Sequence, residues 1–169
     1  MGKNRPTKKH TAYHEGGHVV AHFALGLAVN KASIIPKEGS LGQALSPPVL
    51  GYESGGSRRE QRQIARANII GCYAGMEAEW IFDPNARDSG GGDNQTAFWL
   101  SRTYCVLPRY CQYVGDEQHL DYLDRLRREA RRLVRRHWQA VEEVAASLLK
   151  NKRLDGKKLE AIRSRLFPD

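Results

Sequence analysis

The sequence predicts a mainly α-helical fold with a small β-element of two or three short strands, and three observations predict it. Apolar residues recur at three- and four-residue steps from Ile64 to Ile81 and again from Leu120 to Leu148, the period of helices with one buried face. Runs of β type are few and short, and they fall between residues 28 and 52, where Gly, Pro and Ser interrupt the chain. The composition, 169 residues with 40% hydrophobic and 27% charged residues and a mean hydropathy of -0.61, fits a soluble globular chain able to bury a core without staples.

Taken in order, Thr7 follows Pro6 as the N-cap of a helix that runs to about Leu25, where Gly26 stops it. Residues 28–35 form a short β-type run closed by Pro36. Residues 37–56 read as loops around one or two short strands near 41–45 and 49–52. A helical pattern starts at Arg58 and ends near Phe82, Asp83 and Pro84. The glycine loop at 88–92 opens a further helix from about Asp93 to Val106, stopped by Pro108. The last third keeps helical spacing to a cap near Asn151, and a short helix follows over 157–166. No internal repeat interrupts this order, so a single domain over 1–169 is expected.

Several classes are excluded. Cys72, Cys105 and Cys111 cannot pair completely and lack C-x-x-C spacing, which argues against a disulfide scaffold or a cysteine-built zinc finger and for a reducing compartment. The start leads into lysines, and the longest mostly apolar stretch, residues 19–29, is too short to span a bilayer; the expected setting is cytoplasmic, without membrane insertion. The net charge of +8 invites a nucleic-acid reading. That charge divides evenly, +4 over residues 1–113 and +4 over 114–169, and its dense part, Arg125 through Arg136, holds seven arginines and one glutamate. Solvated helix faces often have this composition, so nucleic acid remains a secondary partner class.

The chemistry concentrates in His14, Glu15, Gly16, Gly17 and His18. Four residues apart on a helix, the two histidines project from one face and can each offer a ring nitrogen to one Zn²⁺ at about 2.0–2.1 Å. Glu15 lies about 100° around the helix, placed as a general base beside the ion and not as a ligand. Two consecutive glycines in mid-helix, each costing about 1 kcal/mol relative to Ala, imply close approach of another backbone. His10 and His22 extend the ladder, but each step of four drifts by about 40°, so they are read as structural or peripheral. His119 and His137 lie in the basic helical region and offer no third ligand at a familiar spacing. The carboxylates Glu77, Glu79, Asp83, Asp88 and Asp93 form the pool for that ligand. Asp93 shares a helical face with Ala97, Leu100 and Tyr104, which leaves it between metal ligand and N-cap.

In order along residues 11–105, the chain resembles the peptidase domain of the FtsH-type, AAA-linked zinc proteases. Thr11-Ala12-Tyr13-His14-Glu15-Gly16-Gly17-His18 is similar to that family's A-x-H-E-A-G-H block. Ser33-Ile34-Ile35-Pro36-Lys37 with Leu41-Gly42, and Ala74 to Phe82, resemble its V-T-I-I-P-R, L-G and G-R-A-A-E-E-L-x-F segments. Ser89 to Ala97 falls where the family has T-G-A-x-N-D-x-x-x-A-T, whose aspartate is the third zinc ligand; the resemblance thereby implies Asp93 as that ligand. Gly16 and Gly92 replace the usual alanine and asparagine, and no phosphate loop or membrane anchor accompanies the match.

The resemblance implies a helical, zincin-like FtsH peptidase fold, with a zinc-site core over 1–113 and a C-terminal, Arg-rich helical part over 114–169. Since the sequence departs from the family in having no phosphate loop, the expectation is a stand-alone zinc endopeptidase, ATP-independent by itself, that holds one Zn²⁺ on His14, His18 and Asp93 with Glu15 as catalytic base. Its substrates would be flexible or unfolded polypeptides, with a separate ATPase or adaptor as a further partner and an open oligomeric state. Ser33, Ile34 and Ile35 are a candidate edge for an added substrate strand, weighed equally with an ordinary sheet strand. Glu79 is weighed as an outer partner orienting a ligand histidine against a plain surface or helix-pairing role, which the sequence favours. The alternative function is a zinc-bound regulatory or binding module that uses the Arg-rich helix to hold nucleic acid or an acidic protein.

Overall fold

In a computed structural model, residues 7–36, 43–45, 57–86, 91–103 and 117–168 are described, with only the backbone for 43–45. The first helix, α1 (Lys8–Ala24), starts at the expected cap. Thr7 Oγ1 accepts from the backbone N–H of His10, and His10 Nδ1 accepts in return from the N–H of Thr7 at 3.1 Å, a capping box closed by an imidazole. It ends where Gly26 takes φ +74°, a left-handed conformation that a side chain would strain, while Leu27 N–H reaches back to His22 O at 2.8 Å.

Helix α2 (Arg58–Phe82) is capped by Ser57 with Glu60 in the ordinary form of the box. It lies along α1 at van der Waals distance. A Cβ on Gly17 would come within 2.7 Å of Ala78 Cβ and collide with the Ala74 carbonyl, so glycine alone permits this crossing. A Cβ on Gly16 would lie 3.2 Å from Val141 O, on the neighbouring helix α5 (Trp138–Asn151). The close backbone approach expected at the two glycines therefore occurs, on two different sides of α1. The start of α1 is also tied to the end of α2, because His10 Nε2–H donates to Asp83 Oδ2 at 3.0 Å.

Helix α3 (Gly91–Thr103) packs on α2, as does α4 (Glu117–Arg136). The apolar pattern of the last third is divided between α4 and α5 at His137, which leaves helical geometry at φ -109° and ψ 30°. Leu120, counted in that pattern, is 52% exposed. Helix α5 closes on Lys152 in the left-handed conformation, φ 60°. A strand missed in the sequence follows, with three residues and one inward side chain, Leu154; Asp155 then caps α6 (Gly156–Leu166) through the N–H of Lys158.

Strands β1 (Lys31–Ser33), β2 (Gln43–Leu45) and β3 (Arg153–Asp155) form an antiparallel sheet in the order β2-β1-β3. Ala32 faces Ala44 on one side and Leu154 on the other. Of Ser33, Ile34 and Ile35, weighed equally as a substrate edge and as an ordinary sheet strand, Ser33 is paired on both sides and Ile34 N–H donates to Lys152 O at 3.0 Å. The strand expected near 49–52 lies outside the described residues, as do Cys105, Cys111 and the expected end of α3 near Val106. The architecture is mainly α with a small antiparallel sheet, its core formed where α1 meets α2 and α5. Among the described residues no helix is long and apolar enough to cross a membrane.

Candidate metal centre

Because α1 is pressed into α2 at its glycines, His14 and His18 are held between the two helices with their rings 4.7 Å apart and nearly perpendicular. The far nitrogen of each ring has a fixed partner on α2. His18 Nδ1–H donates to Gly71 O at 2.8 Å, and His14 Nδ1–H donates to Glu79 Oε2 at 3.2 Å. Those bonds select the tautomer that leaves both Nε2 atoms for the other side. There they meet Asp93 in the first turn of α3, with Oδ2 3.0 Å from His14 Nε2 and 3.6 Å from His18 Nε2. Helix α3 begins at Gly91, so Asp93 stands inside it and its carboxylate is turned to the histidines instead of capping the helix. The three donor atoms lie within 4.8 Å of one another.

The electrostatics follow from this enclosure. Burial alone depresses His14, but hydrogen bonds to Asp93 and Glu79 overcome it and raise its pKa to about 10. Burial likewise opposes protonation of His18, and the Asp93 charge reverses that and raises it. Asp93 is pushed up by burial and pulled well below the usual carboxylate range by both histidines. Glu15, 4% exposed, is raised chiefly by burial, and it feels the charges of His18, His14 and Asp93. Its Oε2 is buried without a hydrogen-bond partner among the described residues.

The other sequence candidates go elsewhere. His10 caps α1 and holds Asp83. His22 is buried against Gly71, and burial lowers its pKa to about 3. His119 is fully buried and bonded to Ser101 Oγ at 2.9 Å, while His137 rests against Phe167. Glu77 faces α4, where Arg127 Nε at 2.9 Å and Arg131 Nε at 2.6 Å hold its carboxylate. Asp88 lies outside the described residues. Burial pushes the Cys72 thiol up to about 12, which keeps it protonated and a poor metal donor at neutral pH. The carbonyl of Gly71 was not legible as a partner of His18; only its spacing of eight residues from Glu79, on one face of α2, hints at it.

The arginine run is partly consumed inside the fold. Arg127 and Arg131 are bound to Glu77, Arg127 also lies over Trp80 at 4.7 Å, Arg128 pairs with Asp124, and the run's own Glu129 is taken by Arg66 at 2.6 Å. Arg132, Arg135 and Arg136 are exposed.

Two histidines of α1 and a carboxylate of α3 form a group that could hold a metal ion, and the chain belongs to peptidase family M41, whose profile matches residues 3–98. It is similar to the ATP-dependent zinc metalloprotease FtsH of Caulobacter vibrioides, at 30% identity over 128 residues. That alignment takes in 73% of this chain and 20% of the relative, so the chain spans about a fifth of the relative's length. Family membership supports a zinc metallopeptidase-type function.

Proposed function

We propose that this chain is a zinc-dependent endopeptidase whose ion is held by His14, His18 and Asp93 and whose catalytic base is Glu15. The observation that carries the reading is the convergence of two histidine Nε2 atoms and one carboxylate oxygen, beside a buried glutamate oxygen that has no partner among the described residues. Two imidazoles and one carboxylate suit Zn²⁺ and leave a coordination position open. When bound, the zinc supplies a Lewis acid that polarises the scissile carbonyl and acidifies a water. Glu15 is the base that would accept a proton from the attacking water and return it to the leaving amine, and burial raises its carboxyl above the ordinary range. Gly71 O and Glu79 hold the two rings in the tautomer that presents Nε2.

The substrates of this reading are flexible or unfolded polypeptides. These 169 residues carry no phosphate loop, so in this reading the energy for unfolding structured substrates comes from outside them, from an ATPase or adaptor. With β1 paired on both sides, the strand proposed for backbone addition of substrate is β2, which pairs on one side only among the described residues and lies near α1.

The test compares wild type with Glu15→Gln for bound metal and for cleavage of an unfolded casein substrate. Both proteins are expected to hold about one zinc and only wild type to cleave. Absence of zinc from both overturns the site; zinc in both with no cleavage by either transfers the chain to the binding-module reading.

A further inference from the structure

One face of α2 is turned toward the histidine ladder through Gly71, Gly75 and Glu79, each four residues from the next. The outer two contribute acceptors, the Gly71 carbonyl to His18 and the Glu79 carboxylate to His14. The middle residue contributes the lack of a side chain. A Cβ built on Gly75 would lie 2.5 Å from His18 Nε2, 2.6 Å from His18 Cε1 and 2.9 Å from His14 Nε2. All three distances are shorter than a carbon atom at that position tolerates, and both nitrogens are the ones that face Asp93. The rings have little room to retreat. His18 is tethered at its far nitrogen to the backbone at Gly71 O, and His14 to the buried Glu79, 3% exposed.

We propose that Gly75 is a positioning residue of the metal centre: its bare Cα lets the edges of both imidazoles rest on α2 with their Nε2 atoms converging on Asp93, and any side chain there drives them out of that arrangement. The proposal rests on the zinc-site reading above. It separates Gly75 from Gly71, where an added Cβ would strike the His22 ring, at 2.8 Å from Cδ2, and none of the nitrogens that face Asp93. Helix propensity points the other way, since alanine is the better helix former at a mid-helix position.

The experiment introduces Gly75→Ala into wild type and into the His14→Ala/His18→Ala double variant. Melting of the metal-free proteins is followed by circular dichroism, and zinc affinity by competition with a chromophoric chelator. In the wild-type background the substitution is expected to lower the melting midpoint and to weaken zinc by about 10-fold or more, the usual effect of disturbing a ligand's supporting shell. In the double variant, where the rings are gone, it is expected to leave the midpoint unchanged or raise it. Recovery of folding in the triple variant supports the proposal even where Gly75→Ala alone fails to fold. An equal loss of stability in both backgrounds overturns it, and so does zinc affinity within about 2-fold of wild type. If wild type binds no zinc, the zinc-site reading fails, and the comparison of midpoints still decides whether residue 75 sets the ring positions.

Discussion

Glu77 and Glu79 stand two residues apart on one helix, both buried, and their carboxylates serve opposite faces. Two residues turn an α-helix by about 200°, so Glu79 meets His14 on α1 while Glu77 meets Arg127 and Arg131 on α4. Periodicity shows that this helix has buried faces without showing which neighbour covers each, so the sequence alone favours a plain surface or helix-pairing role for Glu79. Glu79→Gln is expected to weaken zinc by about 10- to 100-fold in a chelator competition while the fold persists. Glu77→Gln is expected to leave zinc affinity unchanged and to lower unfolding free energy in urea by about 1–2 kcal/mol, because two partly exposed guanidinium groups lose charge-assisted hydrogen bonds to a buried carboxylate. His22 gives a pH signature. Its folded pKa of about 3 lies below the unfolded value of about 6.5, so the folded state binds fewer protons between those limits. Stability from its neutral burial is full above about pH 6.5 and is lost as pH falls toward 3. His22→Gln should therefore show a shallower loss of melting temperature than wild type across that window.

Among the elements, those announced by local chemistry were legible. Thr7, Ser57 and Gly26 mark helix ends because a hydroxyl acceptor or a left-handed residue belongs there in almost any context. The imidazole of His10 completing a capping box lay outside the usual Glu or Gln pattern. Strand β3 was invisible because three residues with a single inward Leu154 carry no alternation to detect, and the strand exists only by pairing with β1. The break at His137 likewise has no proline or glycine to announce it. Gly17→Ala is expected to destabilise by about 1–3 kcal/mol in urea, since the methyl group collides with Ala74 O and Ala78 across a helix crossing that cannot open without moving the core. Asp155→Ala should cost about 1 kcal/mol, the usual loss of a side-chain cap, with zinc affinity unaffected.

For the whole molecule, the candidate site connects three helices: proposed ligands from α1 and α3, with α2 holding the rings. Zinc at a thousand times its Kd should raise unfolding free energy by about 4 kcal/mol, seen as a fall in melting temperature on adding a chelator. In the metal-free protein the His14 pKa of about 10 lies above its unfolded value. Stability from its contacts with Asp93 and Glu79 is then full below about pH 6.5 and is lost as pH rises through about 10. Chelated protein is expected to lose melting temperature over that range, and Asp93→Asn to lose less.

The pairing of His14 with Asp93 joins positions 79 residues apart, and those of His14 with Glu79 and His18 with Gly71 join positions 65 and 53 apart. Closing loops of that length comes late, after local helices have formed. The histidine pair is made early in synthesis, yet the cluster of three donor atoms is complete only once α3 has been made and docked. A nascent chain that ends before α3 therefore has two of the three donors, and the cluster is assembled by the docking of a third helix and not by the motif alone.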